Sequence, residues 1–268
     1  MIIRLLKIEW LKLKNYKTFW IILALLVACV VGINYVYFEL VSSKNQASGV
    51  VNMVLGTPFQ FPDVWHTVTQ VASYMLFIPS LIVVILTTNE YNFKTHRQNV
   101  IDGLSRTEFI ISKVLVIAAL SIVSLLIVFL TALVFGLSSE FSYFSLANAE
   151  YLFYFFLQCF TYMSFALLLS LLLKRSGLAI ALFFVYICIV ENILVALINR
   201  AVSGNVLEGP GYYFLLDASD KLIPVKSLQK MMQGKNFLPP TINLLVATFV
   251  YLGLFLFLSK RKFETADL

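Results

Sequence analysis

The chain has 268 residues, a formal net charge of +6, and a composition that is 60% hydrophobic with only 13% charged residues. Its mean hydropathy is +0.88, whereas a soluble domain carries about twice that share of charge. A water-soluble globular protein is excluded, and an all-α integral membrane protein is expected. Six apolar runs reach the roughly 20 residues that a helix needs to cross a ~30 Å hydrocarbon core, and they are too long and continuous to be barrel strands.

The N-terminus comes first in chain order. Ile3, Leu6, Trp10 and Leu13 recur at helical spacing, with Arg4, Lys7 and Lys14 on other faces. This pattern predicts an amphipathic helix within residues 1–17, lying in the membrane interface with its basic groups near anionic headgroups. A basic flank that only orients the first span is the plainer alternative. The first span runs from Thr18 to about Phe38. It is too long for a cleaved leader and no small-residue cleavage site follows it, so it is expected to be retained. The second span is placed at Thr67 to Thr88.

Between the second and third spans lies a basic polar stretch, residues 89–113, reading NEYNFKTHRQNVIDGLSRTEFIISK. Phe93, Arg97, Val100, Ile101 and Leu104 fall near one side of a helix, and Gly103 is a stop signal. Ser105 and Glu108 then form a capping box, so the next helix is predicted to begin at about Arg106. The expected result is a short helix over 90–104, a turn, and a new helix entering the membrane. An ordinary basic loop is the alternative.

The third span runs from Val114 to about Leu137, the fourth from Tyr151 to Leu173, the fifth from Gly177 to Asn199 and the sixth from Thr241 to Ser259. Phe153, Phe155, Phe156 and Phe160 on the fourth are read as lipid-facing or packing groups. Only the fifth span contains a charged residue, Glu191. It lies about 21 Å along that helix at 1.5 Å per residue, and Asn34 and Tyr35 sit at a similar depth on the first span. An intramembrane carboxyl is a candidate functional group. The structural alternative is a carboxyl that is protonated, or hydrogen-bonded to Asn192, Asn199 or a polar group of another helix. The connection from Arg200 to Pro240 carries Tyr212, Tyr213, Phe214, Leu215, Leu216, Leu222, Ile223, Leu228, Met231 and Met232. It is too apolar for a solvated linker, and short helices dipping back into the outer membrane edge are expected.

Fourteen of the 20 basic residues fall on the side of the termini, and the other six are Lys44, Arg200, Lys221, Lys226, Lys230 and Lys235. The positive-inside rule therefore predicts cytoplasmic termini. Cys29, Cys159 and Cys188 lie within spans and read as small apolar residues. No G-x-x-x-x-G-K-[ST] motif for ATP is present, and the only histidines, His66 and His96, form no metal-ligand cluster with the dispersed cysteines. No span offers the histidine of a serine intramembrane protease. Nor do the spans hold the several buried ionisable groups of an ion-coupled carrier.

Together these features resemble the membrane subunit of type-two ABC exporters. The local match runs from Glu90 at the end of the second span through Thr95 and the leucine turn at Leu104 to Ser105-Arg106 and Lys113. Gly103 stands where many relatives carry proline, and LIPVKSLQKMM from Leu222 is similar to the outer segment of related bacterial permeases. The resemblance implies a single transmembrane permease domain over residues 1–268, with an extracellular loop over 200–240, in the bacterial inner membrane. Two such subunits would pair on cytoplasmic ABC ATPase subunits, which would bind ATP and Mg. The chain itself would hold no cofactor or metal and be no enzyme. The 90–104 helix would be the coupling helix, with Glu90, Thr95, Arg97, Val100, Leu104 and Arg106 at the ATPase. The first and fifth spans would line the contact with a second copy or a related permease, making Asn34, Tyr35 and Glu191 candidate pathway or dimer-contact residues. Lipids are the remaining partners, and no nucleic acid is expected. The rival readings are a non-transporting sensor or assembly factor that recruits a soluble partner, and an autonomous channel.

Overall fold

The computed structural model describes residues 2–42, 58–101, 103–139, 143–204, 206, 209–225 and 239–265, without the side chain of Val100. Lys44, Lys226, Leu228, Lys230, Met231, Met232 and Lys235 lie outside them. Helices and turns make up the described residues, with no strand among them. Helix α1 is Ile2–Lys14, α2 is Lys17–Ser42, α3 is Asp63–Ser73, α4 is Phe77–Asn92 and α5 is Thr95–Ile101. Helix α6 is Arg106–Ser138, α7 is Glu150–Leu173, α8 is Ser176–Ser203, α9 is Asp217–Asp220 and α10 is Thr241–Glu264. Five helices are long and apolar enough to cross a membrane, and six spans result if the bent pair α3 and α4 is one.

The second span, expected over Thr67 to Thr88, is therefore the bent pair over Asp63–Asn92. Helices α3 and α4 meet at 45°. Pro79 has no N–H with which to bond the carbonyl of Met75, and its ring crowds that carbonyl. The ladder instead tightens, with Met75 donating to Ala72 at 2.9 Å and Ile78 to Met75 at 2.9 Å. Helix α8 has a second irregularity, a π-helical turn at Tyr186–Val190 immediately before Glu191. The amide of Asn192 occupies carbonyls there, donating to Ile187 at 3.0 Å and Cys188 at 3.2 Å.

Helix α6 begins as the capping box predicts. Ser105 Oγ accepts from Glu108 N at 3.2 Å, and Glu108 Oε2 accepts from Ser105 N at 2.9 Å. Its 33 residues span about 50 Å at 1.5 Å per residue, well beyond a ~30 Å hydrocarbon core. The two-residue link Lys174-Arg175 turns α7 into α8, with Lys174 at a left-handed φ of 55°.

Helix α7 is the hub of the bundle. Of its most apolar window 78% is buried, against 17% for α10. Phe155 is buried and Phe153 exposed. Polar side chains also face inward here: Thr161, Ser164 and Ser170 each donate to the carbonyl four residues back, which satisfies a hydroxyl without leaving the helix. Beside α7, Trp65 stacks on Phe129 at 5.6 Å and donates its indole N–H to Ser145 O at 2.8 Å. The starts of α1 and α6 and the end of α10 share one end of the bundle, where Phe109 stacks on Phe263 at 4.2 Å. This basic end and the far end above α8 each carry a polar assembly.

Candidate functional site

At the basic end four charged side chains from three helices meet. Helix α1 turns Leu5, Glu9 and Leu13 inward, a face that shares only Leu13 with the expected apolar stripe. Ile3 and Trp10 instead point outward, 82% and 50% exposed. Lys113, buried in α6, bonds Glu9 Oε1 at 3.0 Å, Glu9 Oε2 at 2.9 Å and Glu90 Oε1 at 2.7 Å. Lys12 bonds the same Glu90 oxygen at 2.8 Å and Glu9 Oε1 at 3.3 Å, and Ser112 Oγ donates to Glu9 at 3.0 Å. Two acids and two lysines thus close a charge-neutral clasp. Burial pushes the Glu9 carboxyl up, but the charges of Lys113 and Lys12 and the bonds from Lys113 and Ser112 outweigh it and hold the group below its ordinary range. Buried ions of this kind tolerate no partial loss: removing one partner costs about 3–5 kcal/mol.

The clasp also roots α5. Glu90 belongs to the last turn of α4, not to the short helix, which occupies only Thr95–Ile101 within the expected 90–104. Lys94, at φ 56°, makes the turn between them. The Glu90 carbonyl accepts from His96 Nδ1 at 2.8 Å and from Thr95 Oγ1 at 3.5 Å. A carbonyl can only accept, so Nδ1 carries the proton. His96 is buried against Tyr91 at 4.5 Å. At the other end Leu104 N donates to Asn99 O at 3.0 Å, and Gly103 takes φ 94°, so the stop signal works as a left-handed turn. Between these anchors Phe93 and Ile101 stand out, 75% and 77% exposed, and Arg97 is exposed.

The far end is built differently. Glu191 Oε1 accepts the backbone N–H groups of Leu216 at 2.6 Å and Asp217 at 2.9 Å, which ties the start of α9 down onto α8. Asp220 accepts from Gln158 at 2.8 Å and from Tyr162 at 2.8 and 2.9 Å, both on α7. Lys221 pairs with Asp217 at 3.0 Å. Asn199 Oδ1 accepts from Gly211 N at 2.7 Å. A Cβ at Gly211 would lie 2.6 Å from the Val195 carbonyl, so only glycine lets the chain approach this closely. Tyr212, Leu216, Leu222 and Ile223 are buried. The described part of the apolar loop, 209–225, is thus a packed cap. Burial pushes Asp220 up to about 6, against bonds from Gln158 and Tyr162, and pushes Asp217 up against Lys221.

Residues 5–191 match the model of a family described as ABC-2 family transporter protein. The chain belongs to the ABC-2 transporter family. Among curated proteins no sequence matches. It is therefore the multi-pass permease component of an ABC transporter, a membrane part without its own ATPase, in a family that associates with ABC ATPase subunits and often dimerises. The matched region holds the whole clasp, while the cap residues 209–225 follow it.

In this ABC-2 permease the expected site residues scatter more than their pattern implies. Thr95 and Arg97 are exposed on α5, whereas Glu90 is buried in the clasp and Leu104 packs on the core. The side chain of Val100 lies outside the described residues. Arg106 is tied to the end of α10: its Nη1 donates to the Glu264 carbonyl, beside Thr107 Oγ1 donating to Glu264 Oε1 at 3.0 Å. Asn34 is buried and donates to Val30 O on its own helix at 2.7 Å, while neighbouring Tyr35 is 54% exposed. Glu191 is committed to the cap, so Asn34 and Glu191 are not brought together within the chain. Sequence reasoning missed Glu9 and Lys12 entirely. A signal existed: Glu9 is the one acid in an otherwise basic helix, and Lys113 sits two turns inside a capped apolar one.

Proposed function

We propose that this permease forms the translocation pathway of an ATP-driven exporter as a dimer, in the bacterial inner membrane with its basic end in the cytoplasm, and that α5 is its grip on separate ATPase subunits. The carrying observation is a short helix, Thr95–Ile101, flanked by the exposed apolar side chain of Phe93 in the turn before it and ending on that of Ile101, on a rigid root made by the Glu90 carbonyl and the clasp. Apolar side chains exposed on a tethered helix suit a hydrophobic groove. Push on α5 passes directly to α4, and through Lys113 and Glu9 to α6 and α1. Family membership favours this over a sensor, assembly factor or channel. Arg97 remains available to meet an acidic group, whereas Arg106 holds α10 instead. Exposed faces of α2, α8 and α10 suit lipid and a second copy, with Tyr35 and Asn192 on them in place of Asn34 and Glu191.

The test is co-purification with the cognate ATPase in membranes. Ile101→Asp and Arg97→Glu should insert normally and lose ATPase recruitment or its stimulation. Normal recruitment, stimulation and export in both variants would refute the assignment of α5. Orientation is read in a cysteine-free background: a Cys at exposed Phe93 should react only in permeabilised cells, and one at exposed Tyr143 from outside.

A further inference from the structure

A cavity of about 250 Å³ opens beside the clasp, lined by Arg4, Leu5, Ile8, Glu9, Lys12, Asn99, Leu104 and Ser112. Its walls come from α1, from α5 and the turn after it, and from α6. The size is below the ~300–1,000 Å³ of pockets that enclose a drug-sized ligand, so it suits a headgroup or a small ion. Its chemistry is divided. Leu5, Ile8 and Leu104 form an apolar side, and cationic or amide donors form the other.

Two donor groups there have no hydrogen-bond partner among the described residues. Arg4 forms no hydrogen bond or ion pair among the described residues. The charge of Arg4 reaches the nearby acid Glu108, whose Oε2 is hydrogen-bonded to its own cap at Ser105. The amide nitrogen of Asn99 is shielded from solvent and has no partner among the described residues. Glu9 does not make the cavity anionic, because Lys113 and Lys12 hold both its oxygens. A guanidinium, an ammonium and an unsatisfied amide N–H around one small space is the donor set of a phosphate. Ile3 and Trp10, exposed on the opposite face of α1, place this space at the depth of lipid headgroups.

We infer that this cavity binds a phosphate group, that of an anionic phospholipid headgroup or a free phosphate, between Arg4, Lys12 and Asn99. Bound there, it would bridge α1 to α5 directly, in addition to the clasp. The inference does not rest on the ATPase role of α5.

The purified full chain in neutral detergent is titrated by calorimetry with dioctanoyl phosphatidylglycerol, dioctanoyl phosphatidylcholine and inorganic phosphate. Phosphatidylglycerol should bind saturably, one per chain, and about tenfold tighter than the zwitterion. Arg4→Gln and Asn99→Asp should each weaken it about tenfold, a loss of about 1.4 kcal/mol. Arg4 is exposed and its change leaves the core intact. Lys7→Gln, on the same helix outside the cavity, should leave binding unchanged. Saturable binding of inorganic phosphate with the same dependence on Arg4 and Asn99 would support the site and identify its source as a free anion. No saturable site for either ligand, or binding indifferent to both cavity variants, would overturn the inference.

Discussion

The two ends of this permease hold their helices together by opposite means. The clasp balances two carboxylates with two lysines. The cap gathers Glu191, Asp217 and Asp220 around Lys221, the one lysine among its described residues, and bonds Glu191 and Asp220 with backbone, amide and phenol donors. A balanced buried network is strong but brittle, since each ion is needed by the others. A cap with excess acid is adaptable but answers to protons. One end is thus suited to carrying force and the other to opening.

The largest effect should come from Lys113→Met, which leaves Glu9 and Glu90 buried with one lysine. A loss of about 3–5 kcal/mol is expected, read as a fall in melting temperature and faster amide exchange in α1. A change under about 1 kcal/mol would mean that the network relaxes into water. At the far end, Glu191→Leu strands the two buried N–H groups of Leu216 and Asp217, at about 1–3 kcal/mol each. Glu191→Gln keeps an acceptor and should cost less. Equal costs for the two variants would show that the oxygen is dispensable.

Acid should divide the ends. Asp220 is raised by burial to about 6 and Asp217 is raised too. The folded cap therefore binds protons more tightly than the unfolded chain. Its stabilising share is complete below the ordinary Asp value and is lost as pH rises through about 6. Glu9 is lowered, so its share is present above the ordinary Glu value and lost as pH falls through its folded value. Amide exchange corrected for intrinsic rates should show residues 211–223 gaining protection from pH 7 to pH 5 while α1 stays constant. Parallel behaviour of both regions would erase the contrast. The smallest effect on stability belongs to Ile101→Asp, within about 0.5 kcal/mol because the site is exposed. Its loss of function should therefore appear at full stability.

How much of this was legible follows from what kinds of residue mark an inside. The six apolar runs, the Ser105 box and the Gly103 turn were readable because length and capping are local. The bend before Pro79 was equally local, and a proline within a span is its signal. Which helix is central was not readable. In lipid, buried and outward positions are both apolar, so α7 shows no one-sided pattern, and only Gln158, Thr161, Ser164 and Ser170 hint at its inward faces. The clasp was half readable. Lys113 and Glu90 stood out as charges at span ends, but Glu9 lies 104 residues from Lys113, and no local pattern joins them. Glu191 was visible as an anomaly, yet its acceptors' partners, the N–H groups of Leu216 and Asp217, are backbone groups without a sequence signature.

That separation has a consequence for the making of the protein. Synthesis proceeds at about 5–20 residues per second, so Glu9 and Lys12 emerge on the order of 5–20 s before Lys113 exists. Through that interval α1 is held by its outward face, Ile3 and Trp10, and by α2, whose Trp20 donates to Lys14 O at 2.9 Å. Closing the clasp is therefore a late event in biogenesis, reached only after α6 has been delivered to the bilayer.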